Sequence, residues 1–147
     1  MSGVRFQRGN HVVADLDRAL TFYRDVLGFD VTFTLPHNPH SYSIAVFAIP
    51  TGAVMRFCVL STETQERVMA MTEVAGVTLA PVPHPRRSAI VLEIEDPDTV
   101  IARARALGLT VYEEEVLRTK DGRIGREIGI VDFDDNLVVI YKITGEA

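Results

Sequence analysis

The stretch HVVADLDRALTFYRDVLGFDV, residues 11–31, decides the fold of this chain. It starts with β-branched residues typical of a strand and continues into Asp15, a residue suited to cap the N-terminus of a helix. Gly28 stands where a helix commonly ends in a left-handed residue. Between them, apolar residues recur at three-and-four spacing, which predicts an amphipathic helix: Leu16, Ala19, Leu20, Tyr23, Val26 and Leu27.

Further strands are predicted after this helix, separated by turns that contain Pro and Gly. Their ranges are 29–35, 41–49 and 54–60. With a first strand over residues 5–14, they make one βαβββ module over residues 5–60. Residues 61–86 carry the pattern of a short helix at their start and end in the proline-rich PVPHP, so we predict that they form a linker.

The second half of the chain repeats this order over residues 87–143. A strand over 87–95 leads to Asp96 and Pro97, an N-cap and a first-turn proline, and the helix ends at Gly108. The remaining strands are predicted over 109–116, 125–132 and 136–142. The two helix caps lie about 80 residues apart, which indicates a tandem duplication. We therefore predict a single α+β domain built from two βαβββ modules.

Composition limits the kinds of protein that this chain can be. Its 147 residues are 47% apolar, enough to bury a core of their own. Cys58 is the single cysteine, so we exclude an internal disulfide or a cysteine zinc cluster and expect a reducing, cytoplasmic setting. A net charge of −5 without a basic block, and no apolar run of membrane-spanning length, predict neither nucleic acid nor membrane as a partner. A small molecule or another protein remains.

Three stretches carry a family likeness: residues 11–31, their echo VLEIEDPDTVIARARALGLTV at residues 91–111, and VDFDDNLVVIY at residues 131–141. They resemble the vicinal oxygen chelate superfamily, which includes glyoxalases, bleomycin-resistance proteins and extradiol dioxygenases. The resemblance implies paired βαβββ modules whose curved mixed sheets surround a cavity. It also implies metal ligands on the first and last strands of each module, as His, Gln or Glu facing that cavity.

Other residue types occupy the positions where the resemblance implies metal ligands. Counting back from the helix caps gives Arg8 and Ala89 on the first strands, and counting on from Asp132 gives Val139 on a last strand. The other last strand offers Arg56 or Cys58. Arginine has no lone pair for a metal ion, and alanine and valine side chains have no donor atom. We therefore predict no metal or other cofactor, with a divalent ion at another site as the alternative.

Strand alternation groups the remaining candidates by face. Arg8 and Asn10 share one predicted face, and Arg56 and Cys58 share a face of their own strand. Two guanidinium groups in one cavity can clamp a carboxylate, phosphate or sulfonate; alternatively, the arginines point outwards or pair with buried acids. The predicted ligand-binding residues are Arg8, Asn10, Arg56, Cys58, Val139 and Tyr141.

Histidine and cysteine side chains have plainer interpretations. His11 is predicted to pack under the helix, and His37 and His40 to be exposed in a proline-rich loop rather than to chelate a metal. Cys58 is predicted to be a packed thiol, with a nucleophile stabilised by the arginines as the alternative.

Two hypotheses for function follow. The first is a homodimeric protein that binds a small anionic or aromatic molecule without the usual metal. The second is a lyase, isomerase or dioxygenase of the same superfamily.

Overall fold

Each half of the chain begins with a strand followed by a helix, as a computed structural model covering residues 3–146 describes. The chain divides into two units, the first ending at Ala80 and the second beginning at Pro81. Within the described residues, none of the helices has the length and apolar character needed to span a membrane.

The first unit holds one mixed sheet. Its elements in chain order are β1 Gly9–Val13, α1 Leu16–Tyr23, β2 Asp30–Leu35, α2 Tyr42–Val46, β3 Val54–Ser61 and β4 Met69–Ala75. The strands lie side by side in the order β1-β4-β3-β2. β1 pairs with β4 in parallel, whereas β4 with β3 and β3 with β2 are antiparallel.

The helix α1 begins where the sequence predicts, but it ends at Tyr23, before the predicted limit at Gly28. The Asp15 carboxylate accepts a hydrogen bond from the backbone N–H of Arg18 at 3.0 Å, and Gly28 has a φ of +90°. The helix buries an apolar stripe made of Leu16, Ala19, Leu20, Phe22 and Tyr23. These contacts hold α1 against the sheet through the hydrophobic effect.

Two predictions for the first module are wrong. Residues 41–49 do not form a strand: Ser41 caps α2, accepting a hydrogen bond from the Ser43 N–H, and Ala48 then takes a φ of +53°. The predicted linker over residues 61–86 contains β4, so the module extends to Ala75 rather than ending at residue 60. β4 is buried along nearly its whole length, and a strand buried on both faces lacks the polar alternation by which strands are recognised.

The second unit repeats the same architecture. Its elements are β5 Ala89–Glu93, α3 Pro97–Ala106, β6 Thr110–Val111, β7 Glu115–Arg118, β8 Arg123–Val131 and β9 Leu137–Glu146. The sheet order is β5-β9-β8-β6, with β7 also paired to β8, and β5 is parallel to β9. Asp96 caps α3 by accepting from the Thr99 N–H at 3.2 Å. The predicted α+β class with two βαβββ modules is confirmed.

A polar turn sets the start of β9. One oxygen of the Asp132 carboxylate accepts the backbone N–H groups of Asp134 and Asn136, each at 2.8 Å. Asp135, between them, has a φ of +66°. The side chain thus replaces backbone partners in the turn and fixes the residue at which β9 enters the sheet.

Substitution of Gly125 tests how closely β8 and β9 are packed. A Cβ at this position would overlap the backbone carbonyl oxygen of Lys142, next to a register shift between Ile124 and Gly125. We expect Gly125→Ala to lower the free energy of unfolding by about 3 kcal/mol, measured by urea denaturation. Gly145→Ala is the matched control, because a Cβ there lies 3.8 Å from Ile124 Cγ2. Equal stability of the two variants would contradict this packing.

Candidate functional site

The first sheet has one face towards α1, here called its helix face. On this face, His11 Nδ1 and the Tyr23 hydroxyl are hydrogen-bonded at 2.9 Å, and Glu73 Oε2 accepts the Leu16 N–H at 2.6 Å. Asn10 lies on the opposite face, where its Oδ1 accepts the Thr72 hydroxyl at 3.0 Å. His11 therefore packs under the helix, as predicted.

Arg56 lies on the helix face. It is the register partner of Glu73, and its Nε and Nη2 bind the two carboxylate oxygens at 2.8 and 2.7 Å. Asp17, in α1, lies 3.6 Å from the same Nη2. The predicted sharing of one cavity by Arg56 and Arg8 is therefore wrong, since Arg56 instead neutralises a buried acid on β4, the strand that the sequence did not reveal.

Cys58 also lies on the helix face, paired in register with Met71. Its side chain is fully buried, and this burial raises the pKa of the thiol. The predicted packed thiol fits this environment, whereas a nucleophile or a ligand contact on the opposite face does not.

His37 has a structural contact as well. Its Nδ1 accepts the backbone N–H of Met55 at 3.0 Å, so His37 orders a loop.

Arg8 and Asn10 remain as first-module candidates. Arg8 is exposed immediately before β1, and Asn10 is partly buried with its carbonyl oxygen bound to Thr72. Their predicted ligand contacts stay predictions.

The second sheet also has two faces, and α3 lies against one of them. On that face Arg126 Nη2 binds Asp98 of α3 at 2.7 Å. The same face carries four buried side chains: Ile128, Ile130, Val138 and Ile140. The opposite face, here called the open face, is formed by Ala89, Val91 and Glu93 of β5, Leu137, Val139 and Tyr141 of β9, and Glu127, Gly129 and Val131 of β8.

The middle of the open face is apolar. Val91, Val139 and Gly129 form one row across three strands, and Val91 is 62% exposed. The ring of Tyr112 lies beside Gly129, because a Cβ built there would be 3.1 Å from Tyr112 Cδ2. Glycine at 129 therefore lets an aromatic ring rest on the sheet.

Polar groups stand at both ends of the open face, on either side of this apolar row. At one end the Tyr141 hydroxyl donates to Glu93 Oε2 at 3.0 Å, and this hydrogen bond, together with burial and the Glu93 charge, raises the Tyr141 pKa. At the other end Arg86 donates to the Tyr112 hydroxyl at 3.0 Å and to Asp135 Oδ1 at 2.5 Å. The Arg86 hydrogen bond lowers the pKa of Asp135. Charge is thus balanced at the Arg86 end and negative at the Tyr141 end.

The sequence predicted only Val139 and Tyr141 of this face. Glu93, Tyr112 and Arg86 were missed, because strand pairing places Glu93 beside Tyr141, and a hydrogen bond joins Arg86 of the presumed linker to Tyr112. A period-two count along residues 89–93 would have placed Glu93 on the same side as Val91.

The register also revises the positions implied for metal ligands. Val139 pairs with Val91, two residues after Ala89, and in the first unit Ala70 pairs with Asn10, two residues after Arg8. Ala70, rather than Arg56 or Cys58, is therefore the last-strand counterpart in the first unit. The four side chains at these positions, Arg8, Ala70, Ala89 and Val139, do not fit a divalent ion. In residues 3–146, no group of three or more His, Cys, Asp or Glu side chains is arranged to hold a metal ion.

The fold and its strand register define a class of proteins built from two βαβββ modules in tandem. A family model for the Glyoxalase/Bleomycin resistance protein/Dioxygenase superfamily matches residues 8–140. The chain belongs to this superfamily, as its sequence resemblance implied. Among curated protein sequences, none matches it significantly.

Solved structures share the fold at low sequence identity. A glyoxalase family protein from Bacillus cereus is 16% identical with a TM-score of 0.71, covering 99% of this chain and 97% of its own. Glyoxalase I from Leishmania major is 20% identical with a TM-score of 0.63, covering 95% of this chain and 87% of its own. TnmS3, an antibiotic binding protein from Streptomyces, is 20% identical with a TM-score of 0.57, covering 98% and 99%. These likenesses establish the fold alone.

The Glu73–Arg56 pair predicts a pH dependence of stability. The hydrogen bonds from Arg56 lower the pKa of Glu73 below its usual value of 4.5. A carboxylate with a lowered pKa stabilises the fold above pH 4.5 and loses that effect as pH falls through its folded-state pKa. We expect Glu73→Gln to cost about 2 kcal/mol at neutral pH, and the difference from wild type to shrink below pH 4.5, in denaturation series across pH.

Asp17→Asn is the control for that series. Asp17 is the more distant partner of Arg56, and its side chain is 83% exposed. Its removal should therefore change stability by less than about 0.5 kcal/mol. A pH-independent difference between Glu73→Gln and wild type would contradict the assigned role of the carboxylate.

Proposed function

We propose that this protein binds a small molecule with an aromatic or apolar body on the open face of its second sheet, and that it does so without a divalent metal ion. The observation that carries the proposal is the residue set at the four expected ligand positions, Arg8, Ala70, Ala89 and Val139, which offers no metal donor. In place of metal ligands, the open face of the second sheet presents apolar and aromatic side chains.

The exposure of the open face supports binding. Val91 is 62% exposed and Tyr112 46% exposed, so valine and aromatic surface is available to a ligand. Covering such surface releases water and is favourable by roughly 25 cal/mol for each Å² buried. A flat ring can lie on the row Val91, Val139 and Gly129 and contact the edge of Tyr112.

Polar groups on either side of the apolar row can orient the bound molecule. Ligand sites generally combine an apolar floor with a few fixed polar groups. The Tyr141 hydroxyl is fixed by Glu93, and the Tyr112 hydroxyl by Arg86. The similarity in fold to a protein described as antibiotic binding supports the idea that this architecture can hold a small molecule without implying the same ligand.

Homodimer formation and a cytoplasmic location remain part of the proposal. Light scattering of the purified protein measures the first, and fractionation of cells that express it measures the second.

Val91→Asp tests the binding surface. A carboxylate in the middle of the apolar row should weaken binding of a neutral aromatic probe, naphthylethanol, by about tenfold or more, because the ring would have to desolvate a charge. Isothermal titration calorimetry measures the dissociation constant. Since Val91 is largely exposed, the melting temperature should change little.

Val116→Asp is the matched control. Val116 is 58% exposed, and its register partner is Arg126, which faces α3, so it lies on the other face of the same sheet. It should leave binding unchanged. Titrations with and without added Zn²⁺ or Mn²⁺ should give the same dissociation constant. Binding that needs the ion, or that survives Val91→Asp unchanged, would refute the proposal.

A further inference from the structure

We infer that the molecule bound on the open face carries a protonated amine, placed beside the apolar row at the Tyr141 end of this face. The inference rests on the proposed function, because it names the chemical class of ligand for the same surface. It departs from the anionic ligand predicted from the sequence, which depended on two arginines that the structure separates.

Acidic side chains form a second row beside the apolar row, at the Tyr141 end of the open face. Register pairing places Glu93, Tyr141, Glu127 and Glu115 side by side across β5, β9, β8 and β7, all on the open face. Glu127 and Glu115 are direct cross-strand partners, an arrangement that is unfavourable for like charges. Within residues 3–146, none of these three glutamates forms an ion pair with a lysine, arginine or histidine.

Nearby cations are engaged elsewhere. Arg126 points to the α3 face, where it binds Glu114 and Asp98, and Lys142 donates to the backbone carbonyl of Glu95 at 2.7 Å. The charge of Arg123 opposes the rise in the Tyr141 pKa, but its guanidinium is paired with Asp121 at 3.1 Å. Among residues 3–146, these cations therefore form no ion pair with the carboxylates at this end of the open face.

The distance between the apolar row and the carboxylates is short enough for one small molecule to contact both. Val91 and Glu93 are two residues apart on β5, which corresponds to about 7 Å along a strand. A ring resting on Val91 and Val139 would put an amine on a two-carbon chain beside Glu93 and Glu127. There the ammonium group can donate to both carboxylates, and the raised pKa keeps the Tyr141 phenol protonated next to them.

Three probes with the same aromatic body test the charge. Naphthylethylamine is cationic, naphthylethanol neutral and naphthylacetate anionic at neutral pH. We expect the amine to bind at least about fivefold more tightly than the alcohol, and the acetate more weakly than either, by calorimetry at low salt. Raising the salt concentration should reduce the preference for the amine.

Paired variants assign the preference to these carboxylates. Glu93→Gln and Glu127→Gln should each reduce the advantage of the amine over the alcohol, and Glu127→Gln should leave the affinity for the alcohol within about twofold. Glu66→Gln, which changes the same charge at an exposed position of the first unit, should leave the advantage intact.

The outcomes separate this inference from the proposed function. If the alcohol binds and Val91→Asp abolishes its binding, but the amine binds no more tightly, the inference is wrong and the proposed function stands. If the amine preference persists in both glutamine variants, the inference is also wrong. If none of the probes binds, the proposed function and the inference both fall.

Discussion

Parallel pairing between the first and last strands of each unit fixes the faces on which side chains lie. In the first unit this pairing joins β1 to β4 and places Glu73 beneath the start of α1. In the second unit it joins β5 to β9 and places Val139 beside Val91 and Tyr141 beside Glu93. A shift of one residue in either register would transfer every one of these side chains to the opposite face.

The pairing of the Glu73 carboxylate depends on this strand register. It is 8% exposed, and it is satisfied by the Arg56 guanidinium on β3 and by the Leu16 N–H at the start of α1. One acid therefore joins two strands and a helix, and it does so only because the register brings all three groups together. Buried charges persist when they are paired and hydrogen-bonded in this way. Arg56 is consequently a structural residue of the helix face.

Local signals made much of the fold predictable. Asp15 and Asp96 cap their helices as expected, and Gly28, Gly108 and Gly122 all take the positive φ angles that their turns require. Each of these signals acts over a few residues, as does the Asp132 turn before β9. The sequence pattern failed at two places. In β4, burial on both faces leaves no alternation of polar and apolar residues, and at Ser41 a serine cap favours a helical turn over the predicted strand. Of the residues on the open face, the sequence predicted Val139 and Tyr141 as ligand-binding residues, and that role stays a prediction.

The sequence by itself determined the duplicated βαβββ pattern, the residues at which the helices begin and the absence of metal donors at Arg8, Ala89 and Val139, because residue type and local spacing are sufficient for each. Only the tertiary structure decided that Arg56 pairs with Glu73, that Ala70 is the counterpart of Val139, and that Glu93, Glu127 and Glu115 share a face with Tyr141. These facts depend on strands that are distant in sequence yet adjacent in the sheet. Their register is set by burial and backbone hydrogen bonding across the whole unit, which no short stretch of residues encodes.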